Sequence, residues 1–125
     1  MIRTALLVMV HGSPRPEANS QMYSVVELVR ERRIFDVVEV GFMECNEPLI
    51  GDAIELCVMQ NAERIIAVPY FLHTGTHVAN DLPTLLDEAK LRHPQIQFAM
   101  GRYVGALDRL TEVLADRANA AASNH

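Results

Sequence analysis

Residues Ala5-Leu6-Leu7-Val8-Met9-Val10 form an apolar run without the alternation of a half-solvated strand, and the run stops on His11-Gly12-Ser13. A strand apolar on every residue belongs in a sheet covered on both faces, the usual setting of parallel strands. Further runs follow at Val37 to Phe42, Arg64 to Pro69 and Ile96 to Met100. Between them lie stretches of helical period. Glu17 to Arg33 carries Met22, Val25, Val26 and Val29, with Asn19 or Ser20 as the cap. Glu47-Pro48 opens a second helix, Pro48 in its first position and Leu49, Ala53, Ile54 and Cys57 on one side. The third runs from about Val78 to Arg92, with Leu82, Leu85, Leu86 and Ala89 inward. Pro83 is tolerated only in a first turn, which moves the start toward Asp81; His93-Pro94 ends this helix. The last begins near Leu107 and presents Leu107, Leu110, Val113 and Leu114.

Alternation of this kind predicts an α/β fold: a four-stranded, mostly parallel sheet flanked by helices, a flavodoxin-like half. Half of the 125 residues are hydrophobic, enough for one core. The expectation is a single domain over 1–117 and a frayed tail over 118–125. No apolar run is long enough for a bilayer, and no leader pattern precedes the first strand. A net charge of -5 argues against nucleic acid as a partner. Arg30, Arg32 and Arg33 read as solvated cations at a helix C-terminus. Cys45 and Cys57 form no C-x-x-C pair, so reduced thiols and a cytoplasmic setting are expected, with Cys45 a small buried residue.

In a parallel sheet every loop after a strand opens on the same edge, where ligands bind. That edge collects His11, Glu44, the cluster His73-Thr74-Gly75-Thr76-His77 and the loop from Gly101 to Gly105. Two histidine-bearing loops after two apolar strands point to one site that binds a metal or moves protons. Gly12 permits close backbone approach, and the N-terminus of the next helix favours an uncharged imidazole, able to accept a proton or hold a metal. His77 stands in the matching place before the third helix; His73 reads as a solvent-exposed loop residue. Glu44 could orient an imidazole, ligate a metal or accept a proton. Ser13 lacks a G-x-S-x-G elbow, and no Walker or G-x-G-x-x-G pattern supports nucleotide binding.

Three pieces, in order, resemble the short-form sirohydrochlorin cobaltochelatases, the CbiX-like class II chelatases. They are His11-Gly12-Ser13 with Arg15 and Asn19; Val40-Gly41-Phe42-Met43-Glu44 leading to Pro48; and Val68-Pro69-Tyr70-Phe71-Leu72 through Gly75, His77-Val78 and Asp81-Leu82-Pro83. The likeness runs from about residue 4 to 117. It implies a chelatase-like fold and ATP-independent insertion of a divalent metal into sirohydrochlorin, with cobalt the first expectation and iron or nickel the alternatives. It also implies that the active-site histidines are His11 and His77, which would bind the metal, with Glu44 the acidic partner. Ser13, Arg15, Phe71, Leu72, Gly75 and Thr76 would surround the substrate. The metal is then a substrate, and no cofactor is permanently bound. Longer relatives carry two such halves in one polypeptide, so a single half is expected to pair as a homodimer. Two features depart from the family pattern. Thr76 stands where a small or apolar residue is usual, and Val104-Gly105-Ala106-Leu107 replaces a Leu-Gly followed by His-Pro. Arg15 and Arg102 could receive substrate carboxylates, and Met43, Phe71, Leu72 and Tyr103 could touch the ring. The competing reading is a non-catalytic metal or tetrapyrrole carrier built on the same loops.

Overall fold

The structure, a computed structural model, describes residues 1–73 and 75–123, and of Thr76 and His77 the backbone alone. Its elements alternate without exception: β1 (Thr4–Val10), α1 (Pro16–Glu31), β2 (Val37–Phe42), α2 (Ile50–Met59), β3 (Arg64–Pro69), α3 (Thr76–Arg92), β4 (Gln97–Met100), a 3-10 turn (Val104–Ala106) and α4 (Arg109–Ser123). The strands form one sheet in the order β2-β1-β3-β4, every pair parallel. This is the expected architecture, with no antiparallel member among the described strands.

Successive residues of a strand point to opposite faces, and the two faces have separate cores. On one, α2 and α3 cover Ala5, Leu7, Met9, Ile65 and Ala67 with Ala53, Ile54, Cys57, Leu82, Leu86 and Ala89. On the other, α1 sets Met22 and Val26 on Leu6, Val8, Val10, Val38, Val40 and Phe42. Fully burying a side chain such as Leu7 or Ile54 contributes about 1.5–3 kcal/mol. The run that anchored the sequence reading is therefore buried along its whole length.

Several helix boundaries differ from expectation for local reasons. Pro16, not Glu17, opens α1; Arg15 is its N-cap without a side-chain cap bond, and Asn19 and Ser20 lie inside the helix. Val25 is half-exposed, because the side of α1 that meets the sheet is the one carrying buried Met22 and Val26, with Val29 partly buried beside them. Pro48 precedes α2 rather than starting it. Its carbonyl accepts from Phe42 N–H at 2.9 Å, so residues 48–49 bridge to the end of β2 before the helix begins. Leu49, expected inward, is correspondingly half-exposed. Helix α3 starts at Thr76 and passes through Pro83. Proline forfeits one backbone bond there, while buried Leu82 on one side and Leu86 and Ala89 on the other hold the helix to the sheet. Helical backbone continues through Ala118 to Ser123; Asn124 and His125, the end of the tail expected to fray, lie outside the described residues. The apolar face of α4 does not turn inward: no described residue of that helix is buried.

The middle of α2 and the C-terminal end of α3 are joined by an ionic contact. His93, the C-cap of α3, places Nε2 2.9 Å from both carboxylate oxygens of Glu55, and Arg92 Nε lies 3.6 Å from Oε1. The hydrogen bond from His93 lowers the Glu55 pKa, burial opposes that shift, and the charges of His93 and Arg92 add to the lowering. A carboxyl lowered in this way stabilises the fold above its unfolded pKa and loses that contribution as pH falls through the folded value. Replacing His93 with alanine is expected to move the Glu55 midpoint up toward the ordinary carboxylate value. An NMR titration of the side-chain carboxyl carbon reads this directly; an unmoved midpoint would separate the two groups in solution.

Candidate active site

Because β1 lies between β2 and β3, the loop after β1 is flanked by the loops after both neighbours. Val10 pairs with Phe42, so His11 and Glu44 emerge side by side. Two backbone bonds extend the pairing beyond the strands: Met43 N–H donates to the Val10 carbonyl at 2.8 Å, and Glu44 N–H to the His11 carbonyl at 3.2 Å. His11 Nε2 then stands 3.5 Å from Glu44 Oε1, with both side chains more than half exposed. The other ring nitrogen, Nδ1, is 3.4 Å from the Gly12 carbonyl oxygen. The residues named from the sequence as one imidazole and one carboxylate of a shared site are thus adjacent and open to solvent.

Asn46 fixes this arrangement and was not singled out from the sequence. Its Oδ1 accepts from Ser13 N–H at 2.8 Å, and its own N–H donates to the Glu44 carbonyl at 2.8 Å. One side chain therefore ties the loop after β2 to the loop after β1. A short polar residue two places beyond Glu44, able to serve a turn through its side chain, was the available signal. Ser13 is part of the same lacing: its Oγ accepts from Arg15 N–H at 3.1 Å. Arg15 is exposed beside it.

Cys45, expected to be buried, is exposed and held at φ 69° where the chain reverses between Glu44 and Asn46. Cys57 lies fully buried in α2, and burial pushes its thiol up to about 12. Since the thiolate is the reactive form, the folded chain is expected to react at one thiol only, Cys45. Thiol labelling followed by mass spectrometry should find Cys57 modified only after unfolding; early labelling of Cys57 would show that α2 opens.

On the other side of β1, Tyr70 N–H donates to the Met9 carbonyl at 2.8 Å, bringing the loop after β3 level with His11. Phe71 packs partly against the core, Leu72 is two-thirds exposed, and His73 is exposed as expected. Gly75 is the N-cap of α3, and Thr76 and His77 are its first two residues; their side chains, and Thr74, lie outside the described residues. His73 and His77 therefore do not share a helical face: the first is in the loop, the second in the helix. The altered rim segment is seated on this loop. Gly105 N–H donates to the Phe71 carbonyl at 2.8 Å, and a Cβ on Gly105 would lie 1.5 Å from the Leu72 oxygen. A cavity of about 260 Å³ opens among Tyr70, Phe71, Leu72 and Val104. A second, of about 280 Å³, lies between α3 and the end of β4, lined by Ala79, Leu82, Met100, Arg102 and Tyr103 among others. Among the described residues no three or more His, Cys, Asp or Glu side chains gather into a metal cage.

The family model CbiX matches residues 5–121. The sirohydrochlorin cobaltochelatase of Methanocaldococcus jannaschii is 33% identical over 138 residues, covering 91% of this chain and 96% of that protein. The sirohydrochlorin cobaltochelatase of Priestia megaterium is 33% identical over 115 residues, or 92% of this chain but only 37% of its own length. Other relatives are named for iron rather than cobalt. Among solved structures, the sirohydrochlorin chelatase SirB from Bacillus subtilis subspecies spizizenii, in complex with cobalt, superposes with a TM-score of 0.87 at 29% identity. That match covers 94% of this chain and 50% of SirB.

Proposed function

This chain belongs to the CbiX family, and from that premise we propose that it inserts a divalent metal into sirohydrochlorin without ATP, cobalt first, with iron or nickel as alternatives. The observation that carries the reading is the His11–Glu44 pair, a nitrogen and an oxygen donor 3.5 Å apart and exposed at the carboxyl edge of the sheet. Insertion replaces two pyrrole N–H protons with one metal ion, so the site must present the metal, accept two protons and hold a broad flat ring. His11 Nε2 and Glu44 Oε1 are spaced so that metal-ligand bonds of about 2.1 Å from each could meet on one ion. They are also placed to take a pyrrole proton and pass it to water. His77, at the start of α3 on the opposite flank of β1, is the second histidine of this reading.

A closed four-ligand cage would retain the metal, whereas a few donors on open loops can deliver it. Thr76, Gly75, Phe71 and Leu72 form the wall proposed for the ring, with Arg15 and Arg102 for its carboxylates. The metal enters and leaves as substrate and product, and no resident cofactor is required. A chain that spans 37% of one cobaltochelatase and 96% of another is read as one half of a two-half assembly, completed by a second copy.

The test follows the absorbance of sirohydrochlorin with Co²⁺, Fe²⁺ or Ni²⁺, with and without the protein. Acceleration over the spontaneous rate with at least one metal is expected. Tight stoichiometric binding with no acceleration would instead make the protein a carrier.

A further inference from the structure

Two hydrogen bonds bracket the His11–Glu44 pair. Glu44 N–H donates to the His11 carbonyl at 3.2 Å, and two residues farther along each loop Ser13 N–H donates to Asn46 Oδ1 at 2.8 Å. The first continues the β1–β2 ladder at the long end of the hydrogen-bond range; the second is short, part-buried and made by a side chain. The turn that the second bond anchors is strained. Asn46 N–H donates to the Glu44 carbonyl two residues back at 2.8 Å, with Cys45 between them at φ 69°. A three-residue turn of that hand is costly for a residue carrying a Cβ, and it persists only where its surroundings hold it. Here the hold comes from across the sheet edge, through Ser13, whose own Oγ accepts from Arg15 N–H at the N-cap of α1. The His11 and Glu44 side chains, 57% and 62% exposed, stand 3.5 Å apart without a strong bond between them. Their separation is therefore set by the backbone that carries them.

We propose that Asn46 is the positioning residue for metal capture: its side-chain oxygen holds the loops after β1 and β2 together, so that His11 Nε2 and Glu44 Oε1 meet an incoming divalent ion already spaced for it. This rests on the metal-insertion reading above and adds what makes the two donors act as one. Without the tie the turn after Glu44 relaxes, and the donors must be gathered at each binding event. The apparent affinity for the ion then falls by the fraction of time the pair is assembled. An ion that bridges both donors does the gathering itself, so the step that follows capture is little affected. The effect falls on the metal concentration required and not on the saturated rate.

The test uses the full chain, with initial rates at saturating sirohydrochlorin and varied Co²⁺, and calorimetric titration with Co²⁺ alone. Asn46→Ala should raise the KM for Co²⁺ about tenfold, the upper range for one neutral hydrogen bond. Its kcat should stay within about threefold of the parent, and the KM for sirohydrochlorin should not move. Asn46→Asp keeps an oxygen acceptor for Ser13 N–H and should recover most of the parental KM. That comparison is made at an ionic strength of about 0.5 M, where the added charge is screened. Asn46→Gln, one methylene longer, misplaces the acceptor and stands in where the alanine variant does not fold; the same rise in KM is expected. The dissociation constants for Co²⁺ alone should follow the same order. A merely structural role would reduce the amount of folded protein, and so kcat, without moving the KM for the metal. A parental KM for Co²⁺ in Asn46→Ala or Asn46→Gln, or no recovery in Asn46→Asp, would overturn the role of Asn46 and leave the insertion reading intact. A parent that neither binds Co²⁺ nor accelerates insertion would overturn both.

Discussion

Replacing His11 with alanine is expected to lower metal insertion into sirohydrochlorin by at least about 100-fold while leaving the fold intact. The two halves of that expectation have different origins. The His11 side chain is 57% exposed, and its polar neighbours are the Gly12 carbonyl at 3.4 Å and Glu44 at 3.5 Å, both too long for strong hydrogen bonds. Removing it from the surface should therefore change stability by no more than about 0.5 kcal/mol. In the reading proposed, His11 supplies a nitrogen donor that its neighbour Glu44, an oxygen donor, does not replace. Glu44→Gln keeps the shape and one oxygen acceptor while removing the charge, so its loss of rate should be smaller. Added imidazole should restore part of the His11→Ala activity, since the vacated position opens to solvent. Initial rates with saturating sirohydrochlorin and varied Co²⁺ check this, alongside urea unfolding. A rate within about threefold of the parent would remove His11 from the reaction.

That His11 and Glu44 would meet was legible because it depends on strand order more than on loop detail. An apolar run is easily read, and the alternation of strand and helix imposes a parallel sheet whose loops share one edge. The register Val10 opposite Phe42 then places the next residues together. What escaped the sequence depends on contacts between segments distant along the chain. Asn46 reaches back 33 residues to Ser13, and nothing local announces that. The helix starts at Pro16, Ile50 and Thr76 have no side-chain cap bond, so the usual serine, threonine or aspartate signals were missing. Pro83 was read as a boundary because local propensity argues so, but the Leu82, Leu86 and Ala89 packing outweighs it. The stripe of α4 was legible as amphipathic, yet periodicity reports only that a face is apolar and never which surface covers it.

Gly12→Ala is expected to cost both stability and activity. Gly12 sits at φ 100°, a conformation open to glycine and strained for alanine. An added Cβ would also lie 1.9 Å from the Glu44 carbonyl oxygen and 3.3 Å from Asn46 Oδ1. Those atoms are backbone and a bonded amide, so relief requires the whole turn after β2 to move away from the loop after β1. That movement breaks the Ser13–Asn46 and Glu44–His11 hydrogen bonds and pulls Glu44 from His11. Backbone strain alone is of order 1–3 kcal/mol, and urea unfolding should show a loss of about 2 kcal/mol or more once the displaced bonds are included. Gly51→Ala is the contrast: nothing lies within 4 Å of its Cβ position in α2, so helix propensity should make that variant stabler by about 0.5–1 kcal/mol. Insertion of metal into sirohydrochlorin should fall with Gly12→Ala at temperatures where the variant remains fully folded. Parental turnover in that folded variant would mean that the close approach of these two loops shapes the domain but does not set the chemistry.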